Sequence, residues 1–151
     1  MLVSQKCQYA LRAIFELSRN HGNRPCRIGD IAQAQAIPQR FLEVILSQLK
    51  QAGFVVSHRG AEGGYLLARR PSEIQVGEVI EFIQGPLAPA QCVPQPPQPG
   101  HGNCALHGDC VFVELWAQVQ QAIAGIYEST TFQDLLDREK SKAGFTPSYS
   151  I

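Results

Sequence analysis

Residues 28–70 read IGDIAQAQAIPQRFLEVILSQLKQAGFVVSHRGAEGGYLLARR, and this stretch decides the fold. Ile31, Ala32 and Ala34 give a short first helix an apolar side. Ala36-Ile37 makes a tight corner, and Pro38 suits the first turn of a second helix, where its missing N–H costs nothing. That helix carries Phe41, Leu42, Ile45, Leu46 and Leu49, close to the i, i+3/i+4, i+7, i+8 spacing of one buried face. Gly53 stands where a helix usually ends on a left-handed residue. Two strand-favouring runs follow, Phe54-Val55-Val56 and Tyr65-Leu66-Leu67, joined by Arg59-Gly60-Ala61-Glu62-Gly63-Gly64, whose glycines allow a sharp turn. Helix, tight turn, helix and two-stranded ribbon is the order of a winged helix-turn-helix, which places its second helix in the DNA major groove.

Working outward, the whole chain of 151 residues has no net charge, but the charge is unevenly spread. Residues 1–70 hold ten basic side chains against four acidic, net +6, so the remainder is −6. A basic half that also carries the helix-turn-helix pattern points to double-stranded DNA as partner. In the second helix, Gln39, Arg40 and Glu43 lie off the apolar stripe, and their groups can read adenine, guanine and the cytosine amino group. An ordinary solvated face would carry the same residue types, and the surrounding motif is what favours base reading. Arg59 at the hairpin tip suits a phosphate or a narrow minor groove, with Ser57 and Gly60 as neighbouring candidate contacts.

Upstream, Ser4 can cap a helix whose apolar positions are Cys7, Ala10, Leu11, Ile14 and Leu17. Lys6, Arg12 and Glu16 interrupt any signal-peptide core, and the chain has no run of about 18 apolar residues. A cytoplasmic protein with no membrane contact is the expectation. Cysteines there serve as thiols or metal ligands more often than as disulfides. Cys7 reads as a small buried hydrophobe, and Cys26 has no nearby partner.

Downstream, Val76, Val79, Ile80 and Ile83 form one face of a short helix stopped by Gly85-Pro86. The composition then shifts to QGPLAPAQCVPQPPQPGHGNCALHG, with six prolines, four glycines and no regular period. A loop this long in a compact domain is disordered or held by something, and Cys92, Cys104 and Cys110 suggest a metal. After Cys110, Val111, Leu115, Val119, Ala122 and Ile126 recur at helical intervals, widened by Trp116, Ile123 and Tyr127. So apolar a helix suits a seam with its own copy, and a homodimer would match a palindromic operator. Thr131 and Asp134 make a capping pair for a last short helix with Phe132, Leu135 and Leu136, and residues after about Lys142 read as a frayed tail.

The fold class expected is therefore mainly α with a small β-wing: a winged helix-turn-helix domain plus a long C-terminal dimerisation helix. Residues 1–85 form the DNA-binding domain, 86–110 the Cys/Pro-rich loop, 111–140 the dimerisation helix and short terminal helix, and 141–151 a flexible tail.

The pattern C-x11-C-x5-C offers three soft thiolates. An iron–sulfur cluster is one occupant; zinc on Cys92, Cys104, His107 and Cys110 is another, though a close CxxC knuckle is missing. Oxidisable thiols with no metal are the third. An iron–sulfur electron carrier is a rival of another class, but no phosphate loop or catalytic dyad accompanies the cysteines. A transcription regulator, not an enzyme, fits better.

The segments KCQYALRAIFELS, residues 31–86 from IAQAQ to IQGP, and C-x11-C-x5-C-x5-W resemble, in this order, the IscR/NsrR-type family of iron–sulfur-sensing regulators. The likeness spans about residues 1–137 and is most specific at SHRGAEGGYLL. It implies a homodimeric winged-helix regulator, acting as a repressor and sensing iron, redox state, oxygen or nitric oxide through a two-iron or four-iron cluster. By position, Cys92, Cys104 and Cys110 would be ligands, Glu43 would bear on operator choice, and Arg59 would enter the minor groove. Val113 stands where IscR-like members carry a ligating histidine, and Gln8 stands where some nitric-oxide-sensing members carry a carboxylate. Candidates for the fourth ligand are accordingly His107, Cys7 of the partner subunit, Gln8 or an exogenous group.

Overall fold

A computed structural model describes residues 3–86, 88–90 and 110–143. The first helix, α1 (Gln5–Arg19), is capped by Ser4, whose Oγ accepts the Cys7 N–H at 3.2 Å. It buries Cys7, Ala10, Ala13, Ile14 and Leu17 along one stripe. Next, α2 (Ile28–Ala34) buries Ile31 but leaves Ala34 exposed, so its apolar side is narrower than its composition suggests. The corner at Ala36 has φ 50°, a left-handed conformation rare outside glycine. Pro38 then serves as the N-cap of α3 (Gln39–Gln51), one residue earlier than expected; its fixed φ of −60° suits that extended position equally.

The buried face of α3 is Leu42, Ile45, Leu46 and Leu49. Phe41 does not join it: its ring is 47% exposed. One residue is 100° of helix rotation, enough to carry Phe41 off a stripe centred on Leu42 and Leu46. Gly53, at φ 77°, reverses the chain as expected. The wing follows as β1 (Val55–His58) and β2 (Gly64–Leu67), antiparallel with Val55 opposite Leu67 and His58 opposite Gly64. Cys26 adds a short third edge, exchanging both backbone hydrogen bonds with Tyr65 at 2.9 and 2.8 Å.

A single turn at Pro71–Glu73 leads to α4 (Val76–Gln84), which ends at Gly85 with φ 81°. The long α5 (Phe112–Ser129) packs on α4 near Gly77, where an added Cβ would meet Tyr127 backbone at 3.3 Å. The final helix, α6 (Phe132–Ala143), starts with the expected cap: Asp134 Oδ2 accepts the Thr131 N–H at 2.8 Å, and Thr131 Oγ1 accepts the Asp134 N–H at 3.2 Å.

Packing assigns α6 to the winged-helix core rather than to α5. Phe132 is buried in it, Leu135 packs against it, and Glu139 pairs with Arg19 of α1 at 3.4 Å. Backbone bonds from Val76 N–H to the Thr130 carbonyl and from Phe132 N–H to the Ile74 carbonyl pin this corner to the start of α4. Burying a side chain the size of Phe132 stabilises the fold by about 1.5–3 kcal/mol. Among the described residues, no helix is long and apolar enough to cross a membrane.

Candidate nucleic-acid interface and cysteine segment

Because the buried face of α3 points into the core, its other face is presented outward. Gln39, Arg40 and Glu43 are all exposed there, as the sequence indicated. The Arg40 guanidinium lies 4.8 Å from the centroid of the Phe41 ring, a cation–π contact that holds it near the helix. Exposure of Phe41 thus has a local use.

On the wing, His58, Arg59 and Gly60 are exposed at the tip, and Gly60 has φ 114°, open to glycine but strained for other residues. Ser57 is half-buried and its Oγ accepts from Lys50 Nζ at 2.6 Å. The pair ties the last turn of α3 to β1, which makes Ser57 an anchor of Lys50. Arg27 Nη2 donates to the Ala61 carbonyl at 3.0 Å and steadies the wing loop from the start of α2. Sequence reasoning missed Lys50 and Arg27; the excess of basic residues in 1–70 was their only trace.

Two glycines of the wing are required by close approach. A Cβ at Gly64 would lie 2.3 Å from the Cys26 carbonyl oxygen, and one at Gly63 would lie 2.5 Å from that of His58. The loop end of the hairpin is thus compact where it meets the Cys26 edge.

Of the candidate metal ligands, Cys92, Cys104 and His107 lie outside the described residues. Cys110 is half-buried just before α5, and its carbonyl accepts the Val113 N–H at 3.2 Å. Cys7 is wholly buried in the core, and burial pushes its thiol pKa up, against the thiolate form that binds metal. Gln8 is exposed beside it on α1, with Nε2 donating to the Val3 carbonyl at 3.0 Å. Burial also raises the Cys26 thiol, partly opposed by a hydrogen bond from Asn20. Among the described residues, no three His, Cys, Asp or Glu side chains stand close enough to hold a metal.

The faces of α5 are unequal. Gln120, Ile123, Ala124 and Tyr127 line a cleft of about 240 Å³ against α4, which reaches Gly85, where the cysteine-bearing segment departs. Val111, Phe112, Leu115 and Ile126 are 83%, 55%, 47% and 64% exposed. The apolar stripe expected from spacing is thus split: one part covers α4 and the other faces outward.

The family model described as "Rrf2: Iron-dependent Transcriptional regulator" matches residues 3–138. The HTH-type transcriptional regulator CymR of Bacillus subtilis (strain 168) is 34% identical over 135 residues, 89% of this chain and 89% of its own. The HTH-type transcriptional regulator IscR of Klebsiella pneumoniae (strain 342) is 30% identical over 140 residues, 93% and 82% of the two chains. Among solved structures, CymR (YrzC), titled the global cysteine regulator of B. subtilis, aligns with a TM-score of 0.75 at 33% identity, covering 91% of this chain and 98% of its own. T. potens IscR aligns with a TM-score of 0.75 at 30% identity, covering 99% and 95%.

Proposed function

The chain belongs to the Rrf2 family of winged-helix transcriptional regulators, and from that premise we propose a homodimeric cytoplasmic regulator whose operator affinity depends on an iron–sulfur cluster. The observation that carries this reading is the placement of Cys110, the last cysteine of the C-x11-C-x5-C pattern, at the head of α5. The outward apolar residues Val111, Phe112, Leu115 and Ile126 support a seam with a second copy, and two copies would present two α3 helices to a palindromic operator. In this reading Gln39, Arg40 and Glu43 face the major groove, while Ser57, Arg59 and Gly60 bring the wing to the flanking groove. Cys92, Cys104 and Cys110 would hold the cluster, with His107, Gln8 or an exogenous group as fourth ligand. Burial speaks against Cys7.

When bound, the cluster supplies a linkage among the thiolates that oxidation or a competing ligand can break. The chain's own part is transmission. Cys110 leads into α5, α5 rests on α4 at Gly77, and Glu78 of α4 reaches the wing through Arg69 at 2.7 Å. A shift of α5 therefore bears on the wing and on the spacing of the recognition helices, biasing the dimer between two arrangements.

The test is anaerobic purification with absorption spectrum and iron and sulfide analysis for wild type, Cys104→Ala and Cys7→Ala, then operator affinity of loaded and metal-free protein at one salt concentration. A chromophore lost in Cys104→Ala and kept in Cys7→Ala, with unequal affinities, is expected. A colourless protein would overturn the iron reading. The second reading is a winged-helix regulator with structural zinc, a thiol switch or a protein partner; the likeness to CymR, the global cysteine regulator of B. subtilis, favours its metal-free forms.

A further inference from the structure

We propose that Val44 is a specificity-determining residue that reads the C5-methyl group of a thymine in each operator half-site, an inference that rests on the DNA-binding reading of α3. Val44 is 57% exposed, more than any other apolar residue of α3. It lies opposite Leu42, Leu46 and Leu49, does not pack against the core, and is flanked on the same outward face by Arg40 and Glu43. Neither folding nor helix formation accounts for it, since an exposed valine buries little and is a poorer helix former than the Ala, Gln or Lys that usually fill such a position.

The surroundings say what kind of surface would cover it. Val44 and Phe41 form one wall of an apolar groove between α1 and α3, with Tyr9 and Ile45 behind and Gln5 and Lys6 at the rim. A surface both apolar and rimmed by a cation, on the half of the chain with net charge +6, matches the edge of a duplex. There a thymine methyl is the apolar feature of the major groove, and phosphates lie beside it. Arg40 sits one turn before Val44 and is held against the Phe41 ring at 4.8 Å, so the two side chains present a fixed pair. Four residues of helix advance about 6 Å, close to two base steps. A guanine read by Arg40 should therefore stand within about two base pairs of the thymine met by Val44.

The experiment begins by selecting high-affinity duplexes from a random pool with the wild-type protein. Each thymine in one half-site is then replaced by deoxyuridine, which removes the methyl group alone. Affinities are measured at one salt concentration for wild type and for Val44→Ala, an exposed substitution that a helix tolerates. The expected result is one thymine per half-site whose replacement weakens wild-type binding about fourfold, the value of one buried methyl, and does not weaken Val44→Ala further. Uracil effects of equal size in both proteins, or none in wild type, would overturn the proposal while leaving selective duplex binding intact. So would a Val44→Ala protein that changes its sedimentation but keeps its uracil sensitivity, since the occupant would then be a second copy of this chain. A failure to select any sequence would overturn the regulator reading itself.

Discussion

Arg69 leaves the wing and ends on Glu78 of α4, with Nη2 2.7 Å from the carboxylate. Its Nη1 donates to the Glu73 carbonyl at 3.0 Å, and its guanidinium lies 5.4 Å from the Phe54 ring centroid. One side chain thereby joins the strand, the turn and the helix on which α5 rests. Because both partners are more than a third exposed, the ion pair itself contributes about 0–1 kcal/mol. The ring contact adds about 0.5–1 kcal/mol. Arg69→Ala should therefore lower unfolding free energy by about 1–2 kcal/mol in urea titrations, and Glu78→Gln by less than about 1 kcal/mol.

Gly64 and Gly60 should respond differently to alanine. At Gly64 the new Cβ would lie 2.3 Å from the Cys26 carbonyl oxygen, so the edge pairing of Cys26 with Tyr65 must open. At Gly60 nothing lies within 4 Å, and only its φ of 114° opposes the change. Gly64→Ala should destabilise by about 2–3 kcal/mol, with loss of amide protection at Cys26 and Tyr65 in hydrogen exchange. Gly60→Ala should cost about 1–2 kcal/mol, confined to the wing tip.

Asp134 gives a signature in acid. Its carboxylate accepts from the Thr131 hydroxyl at 2.7 Å and from the Thr131 N–H, and these bonds hold its pKa below the usual 3.8. A lowered folded-state pKa means that the stabilisation is full above the ordinary carboxylate value and disappears as pH falls through the folded one. The stability gap between wild type and Asp134→Asn should be constant near neutrality and narrow below about pH 4. Thermal unfolding of both proteins across that range checks it.

For the outward face of α5, Phe112→Glu and Leu115→Glu should leave the helical content of the protein unchanged, since both side chains are about half exposed. In sedimentation each should turn a dimer into a monomer at micromolar concentration. Operator affinity should fall more than tenfold, because two half-sites would no longer be bound by one particle.

Much of this fold can be read from residue types whose effect is local. Ser4, Gly53, Gly85 and the Thr131–Asp134 pair each act within a few residues, and each does in the structure what its chemistry implies. Phe41 and Ala34 fit the apolar spacing yet stay exposed, because periodicity registers that a residue is apolar and not how wide the buried stripe is. The Cys26–Tyr65 edge and the return of α6 to α1 depend on contacts between distant segments, which leave no spacing to detect. Of the candidate DNA contacts, Arg40, Glu43 and Arg59 stand out from their place in the motif, and the structure leaves each exposed. Lys50 was hidden because its role comes from Ser57, which only the hairpin brings near. Of the candidate metal ligands, Cys92, Cys104 and His107 lie outside the described residues, and the reading of them stays with their spacing.

The contact of Gly77 with Tyr127 has an evolutionary corollary. The chain leaves α4 at Gly85 and re-enters a helix at Phe112, yet α4 and α5 are already clasped to each other through that glycine. Lengthening a loop whose ends are held costs little, about 0.6 kcal/mol for each doubling. The intervening segment can thus be swapped as a cassette, gaining or losing cysteines, without renegotiating the DNA-reading scaffold. A single lineage could in this way be retuned to many chemical cues by recombination or slippage within one short stretch of gene.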